Sequence, residues 1–153
     1  MINILAIGDK TESWVSPGVE RYQKRLKAPW DIKWYLLRHS LGDKLSARRD
    51  ESTAILSKLD KLKSPYVVLL DERGQRLGSP ALSQLLDRKL ASSGEIVFII
   101  GGAYGVTDQL RDRANLVLSF SDLVFPHQMM RLLLIEQIYR CQEISRGGPY
   151  HHQ

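Results

Sequence analysis

Two of the four histidines of this chain, His151 and His152, stand within its last three residues, beside Tyr150. Chain ends ordinarily fray, so imidazoles placed there raise the question of what they serve. A second pair, His127 and Arg131, lies four residues apart in FSDLVFPHQMMR (Phe120 to Arg131). A helix is predicted to begin at His127, directly after Pro126, which puts both basic groups on one face of its first turns. Basic groups there oppose the helix dipole. An anion held at the helix N-terminus would offset that cost; a solvated His and a surface Arg is the other reading. The third candidate is IVFIIGGAYG, where Gly101, Gly102 and Gly105 separate an apolar run from a predicted helix. Glycines in such a place let the backbone approach a ligand closely. GGxxG is not the GxGxxG dinucleotide fingerprint, although Asp122 lies about twenty residues on, where that fingerprint wants an acid on a ribose. The pattern serves either a structural turn or a ligand bearing adenosine or phosphate.

The elements that must position these groups follow from periodicity. INILAIG is a short apolar run ending in Gly8, and DIKWYLL alternates Ile32, Trp34 and Leu36 on one face of a strand. YVVLL (Tyr66 to Leu70) and IVFII (Ile96 to Ile100) are unbroken apolar runs, the mark of strands buried on both faces of a parallel sheet. LVLSF supplies a fifth strand. Ser16 as N-cap with Pro17 at the first helical position predicts one helix, and Ser79-Pro80 starts another through Ala91. From Lys44 to Lys61, Ile55, Leu56, Leu59 and Leu62 keep helical spacing, with Arg48, Arg49, Asp50 and Glu51 on a solvated part. A short helix is expected around Thr107 to Arg113, and a long one from His127 to Arg146, closed by Gly147 and Gly148. Cys141 falls on the apolar side of that last helix and is expected to pack rather than react. Strands alternating with helices specify an α/β fold with a mostly parallel sheet flanked by helices. Ligands of such sheets sit outside the carboxyl ends of the strands. The segments of interest are therefore Asp71 to Ser79, Gly101 to Val106 and Phe120 to Pro126.

Composition narrows the function classes. A chain of 153 residues, 43% hydrophobic and 25% charged, suits one soluble globular domain. No apolar run approaches the roughly 20 residues of a membrane span, and MINILAIGDK lacks the basic start and cleavage site of a signal peptide. A lone cysteine cannot form an internal disulfide and suits a reducing compartment, cytoplasmic or an organelle matrix if a transit peptide has been removed. The 22 Lys and Arg against 17 Asp and Glu leave a net charge of +5, which suits a polyanionic partner or simply a soluble surface.

Taken together, VVLLDERG, IIGGAYG, FSDLVFPHQMMR, the terminal PYHHQ and the opening INILAIGDKTESWV resemble the RlmH family of SPOUT methyltransferases, in order and over essentially the whole chain. The resemblance implies transfer of a methyl group from S-adenosylmethionine to N3 of a pseudouridine in the helix 69 loop of 23S (large-subunit) ribosomal RNA, in assembled ribosomes. It implies a homodimer of small α/β subunits with a C-terminal trefoil knot, and no membrane association. By motif position the cofactor contacts are Leu70, Gly101 and the loop Phe120, Ser121, Asp122, Leu123, Val124 and Phe125, with Leu123 and Phe125 packing on adenine. The family's C-terminal tail completes a substrate site across the dimer interface. Tyr150 would then stack an unpaired base, and His151 is a candidate to help remove the N3 proton. Arg131 and His127 would hold the anionic substrate or a carboxylate. Two positions depart from the family tail His-Pro-Tyr-His-Arg: Gly148 stands for the first His and His152 for the Arg. Two other function classes remain: a nucleotide- or NAD-binding Rossmann-like enzyme using GGxxG and Asp122, and a non-catalytic ribosome or RNA binder, expected to show steep salt dependence without methyl incorporation.

Overall fold

Strands with apolar residues on both faces need helices on both sides, and the chain alternates the two element types accordingly. In the computed structural model, which describes residues 1–92 and 94–152, the inner strands are β1 (Ile2–Ile7), β3 (Tyr66–Arg76) and β4 (Ile96–Ile100). The edges are β2 (Ile32–Leu37) and β5 (Leu116–Ser119). The strand order is β2-β1-β4-β3-β5, and every pairing is parallel rather than mostly so.

Among the described residues five helices cover the sheet: α1 (Ser16–Gln23), α2 (Lys44–Leu59), α3 (Ser79–Ser92), α4 (Asp108–Arg113) and α5 (His127–Ser145). The strand alternation decides which face each meets. Ile2, Ile4, Ala6, Ile96, Phe98 and Ile100 pack with α1, α3 and α5, while Leu5, Ile7, Val97 and Ile99 pack with α2 and α4. Ile32, Trp34 and Leu36 join the first cluster and Tyr35 and Leu37 the second, as the alternation in β2 requires. Burying a Leu, Ile or Phe side chain is worth about 1.5–3 kcal/mol each, so these two layers carry the fold.

Three local expectations are corrected. Ser16 is not the N-cap of α1; Val15 is, without a side-chain bond, and the Ser16 hydroxyl donates instead to the Thr11 carbonyl at 3.4 Å. The strand expected to end at Leu70 runs on to Arg76, because a register shift between Leu70 and Gln75 lets Gln75 and Arg76 pair again with β5. Glu51 is not solvated. It is 6% exposed, because its Oε1 turns inward to accept the Ser40 backbone N–H at 3.0 Å.

Candidate active site

The carboxyl ends of β3, β4 and β5 open into a cavity of about 460 Å³, within the range of ligand sites. Its floor is apolar, from Leu70, Ile100, Leu118, Phe120 and Met130. Gly101 to Val106 form one wall and Ser121, Leu123, Val124 and Phe125 the other. Lys44, Arg48 and Arg73 bring cationic groups to its edge. Of the cofactor contacts expected from sequence, Leu70, Gly101, Phe120, Ser121, Leu123, Val124 and Phe125 all line it. Asp122 does not: it points to solvent and pairs with Arg76 at 2.9 Å.

Each wall has a local cause. Gly102 and Gly105 bridge the two arms of the glycine turn, and the Gly105 N–H donates to the Gly102 carbonyl at 3.1 Å. Gly105 has φ +76°, open to glycine and strained for other residues. At Gly102 the requirement is space, since a Cβ would lie 1.9 Å from Glu51 Oε2. Thr107 then caps α4 by accepting the Leu110 N–H at 3.4 Å. In the β5–α5 loop, the Ser119 hydroxyl donates to the Ser121 carbonyl at 2.9 Å, and Ser121 Oγ accepts the Leu123 N–H at 3.0 Å. Those two bonds turn the chain so that Leu123 and Val124 project, 69% and 77% exposed, over the cavity rim.

Sequence reasoning marked the Asp71 to Ser79 segment but gave its charges no role, and it read Arg48 as solvated. Asp71 accepts bonds from Arg73 Nε at 3.2 Å and Arg111 at 2.5 Å. Burial raises its carboxyl, but the Arg73 and Arg111 bonds outweigh that and hold it at about 2. Arg48 donates from Nε to the Tyr104 carbonyl at 2.8 Å, fastening α2 to the glycine turn. Asp71 and Arg73 lie in the stretch between Leu70 and Gln75 where the register of β3 with β5 shifts, a feature that an apolar pattern does not show.

His127 and Arg131 share a helix face but not a task. His127 lines the cavity and also borders a second one on the β1 side. Burial lowers its pKa, the Arg131 charge lowers it further, and Glu51 opposes both; the imidazole is neutral at pH 7. Arg131 is fully buried. It donates to the carbonyls of Ile7, Gly8 and Lys10 at 3.1, 2.8 and 2.7 Å and to Thr11 Oγ1 at 3.0 Å. Its guanidinium is thus committed to the β1–α1 loop, and a ligand anion would have to displace those bonds.

The tail is placed elsewhere on the chain. Tyr150 donates to Glu136 Oε1 at 3.1 Å, lies 3.4 Å from the Tyr22 hydroxyl, and meets Tyr139 edge-on with centroids 4.8 Å apart. The Arg140 guanidinium sits 4.8 Å from its ring centre. Burial raises the phenol pKa, and the bonds to Tyr22 and Glu136 raise it further, so it remains protonated. His151 is half-buried, and its Nδ1 has no hydrogen-bond partner among the described residues. Glu136 is nine residues beyond His127 on α5, roughly 13 Å at about 1.5 Å per residue. Within the chain the tail and the cavity are therefore separate. Cys141, expected to pack, is buried on α5; burial pushes its thiol up to about 12.

S-adenosylmethionine, the methyl donor of SPOUT methyltransferases, fits this donor set. The apolar floor and projecting Leu123 suit an adenine, the close-approach glycine turn suits a ribose, and the rim cations suit a carboxylate. Comparison with known proteins agrees with the geometry. The family model described as "Predicted SPOUT methyltransferase" matches residues 1–151. Similar proteins include the Ribosomal RNA large subunit methyltransferase H of Geobacter metallireducens, 41% identical over 99% of this chain and 98% of its own. The proteins of that name from Geotalea daltonii and Caldicellulosiruptor saccharolyticus are 39% and 37% identical, each over 99% of both chains. A model match over nearly every residue, on a parallel α/β sheet with this cavity at its carboxyl edge, places the chain in the SPOUT methyltransferase family.

Proposed function

We propose that this protein methylates N3 of a pseudouridine in the helix 69 loop of 23S (large-subunit) ribosomal RNA, in assembled ribosomes of the cytoplasm, as a homodimer. The observation that carries the reading is the pairing of one cavity suited to S-adenosylmethionine with a C-terminal tail too far along α5 to reach it. A second copy is the economical way to bring the two together, and the relatives' names supply the ribosomal RNA substrate. Family membership also implies that the C-terminal segment carrying these loops is threaded as a trefoil knot.

The bound donor supplies an electrophilic methyl carbon on a sulfonium. The chain's own residues do the rest. Phe120, Leu123 and Phe125 exclude water and orient the adenosine; Arg48, Arg73 and Lys44 hold the carboxylate end and attract RNA phosphate. His127, kept neutral on the wall shared by the two cavities, is one candidate to take the N3 proton. His151 of the tail is the other candidate, and Tyr150 offers an aromatic face at the partner's site. Asp122, outside the cavity, is left with a loop-shaping role through Arg76. No helix among the described residues is long and apolar enough to cross a membrane.

The test is labelled methyl transfer from S-adenosylmethionine to ribosomes lacking the modification, comparing the full chain with one ending at Gly148. Activity in the first alone, with S-adenosylhomocysteine still bound by both, supports a tail-completed site. Equal activity moves the chemistry to His127 and the loops. Absence of transfer by the full chain refutes the reading.

A further inference from the structure

Beside the cofactor cavity lies the second one, of about 510 Å³, at the end of β1. The two share Gly102, Ala103, Tyr104 and His127, so whatever fills the second lies against the glycine turn and His127 of the first. Its walls are mainly apolar, with Ile7, Leu41, Ala103 and Pro126, and the half-exposed Tyr104 ring stands where the two cavities meet. Two carboxylates border this space: Glu12, whose Oε2 accepts the Trp14 indole N–H, and Glu51 on α2. Glu51 Oε1 is taken by the Ser40 N–H at 3.0 Å. Its Oε2 is buried and has no hydrogen-bond partner among the described residues. Burying an acceptor without a partner costs about 1–3 kcal/mol, more for a charged group. This oxygen lies beside Gly102, where a Cβ would be 1.9 Å from it, on the wall shared by the two cavities, so a ligand donor reaches it as that glycine turn shifts.

The methyl-accepting base meets that description in one respect that separates pseudouridine from uridine. In uridine the sugar is attached at N1. In pseudouridine the sugar is attached at C5, and N1 carries a free N–H on the side of the ring flanking the C2 carbonyl, opposite N3. We propose that the second cavity seats the target base and that Glu51 Oε2 accepts the N1–H, making Glu51 the residue that selects pseudouridine over uridine. This rests on the methyltransferase reading above. Uridine in the same seat would leave the carboxylate facing a C–H, and sites built to bond a polar N–H discriminate strongly against ligands that lack it. The segment from Arg38 to Leu45, which reaches the cavity at His39 and Leu41, suits the flanking RNA: Leu41 and Leu45 are 94% and 67% exposed, with Lys44 and Asp43 between them and Arg38 ahead of them.

The experiment measures kcat/KM for methyl transfer to two ribosome preparations, one with pseudouridine and one with uridine at the target position. In Glu51→Gln, the Ser40 N–H retains the amide oxygen, so the amide NH2 falls where Oε2 was and an acceptor becomes a donor at constant volume. Wild-type protein is expected to prefer pseudouridine at least tenfold, and Glu51→Gln to lose that preference. A preference that survives in the variant, both rates falling by the same factor, or no preference in the wild type, overturns the assignment. No transfer to either preparation by the wild type would instead refute the methyltransferase reading itself. Leu41→Trp, at an exposed position that folding does not depend on, checks the seat separately. It is expected to lower kcat/KM at least tenfold with S-adenosylhomocysteine affinity unchanged, and an unaltered kcat/KM would place the base elsewhere.

Discussion

Replacing Arg131 by Met removes a fully buried cation that ties the start of α5 to the β1–α1 loop. Four bonds disappear, to three backbone carbonyls and the Thr11 hydroxyl. Hydrogen bonds from a charged group are worth about 1.5–3 kcal/mol each, but the sum overstates the loss. The Lys10 carbonyl is at an exposed residue and can rehydrate, and burying the cation itself carries a penalty that the variant no longer bears. That penalty is visible in the pKa, which burial lowers while Asp9 and Glu12 oppose it. The net expectation is a destabilisation of about 3–5 kcal/mol, since each buried carbonyl left without a donor costs about 1–3 kcal/mol. For a chain of this size it corresponds to a fall in Tm of roughly 6–20 °C, read by calorimetry or urea unfolding. The His127 pKa should rise in the same variant, because one of the two causes lowering it is gone; NMR titration checks this. Because His127 is neutral when folded, its contribution to stability is present above its ordinary pKa and lost as pH falls below it. A loss under about 1 kcal/mol together with reduced affinity for ribosomes would refute this reasoning and return Arg131 to an anion-holding role.

Three further expectations concern the site and its support. Gly102→Ala sets a Cβ 1.9 Å from Glu51 Oε2 and should cost about 1–3 kcal/mol as turn and carboxylate separate; weaker S-adenosylhomocysteine binding by calorimetry accompanies it, and unchanged binding would show that the turn absorbs the clash. Asp71 is held at about 2 against an ordinary 3.8, so its contribution to stability is complete above pH 4 and lost as pH falls towards 2. Asp71→Asn should remove stability at pH 7 and flatten unfolding free energy across that window. Cys141, with its thiol pushed up to about 12 by burial, should resist thiol reagents at pH 8 in the native protein and react only on unfolding, as mass spectrometry would show.

The one-dimensional pattern of the chain determined the element types, the parallel sheet and the post-strand loops that carry the site. Apolar periodicity and Gly/Pro punctuation are local properties, and they survive without knowledge of neighbours. Seven of the eight expected cofactor contacts line one cavity for the same reason, since motifs fixed in the loops after β3, β4 and β5 must converge where those strands lie side by side. Tertiary structure alone decided the fate of single charges. Glu51 reads as one of a run of charged residues on a solvated helix face, yet the Ser40 N–H turns it inward. Arg131 reads as an anion site four residues from His127, yet it is taken up by carbonyls more than a hundred residues earlier in the chain. The register shift of β3 at Asp71 and Arg73, and the distance that separates Tyr150 from the cavity, depend on pairing and packing across the fold. A charged side chain takes its role from whichever polar groups surround it in space, and spacing along the chain does not record them.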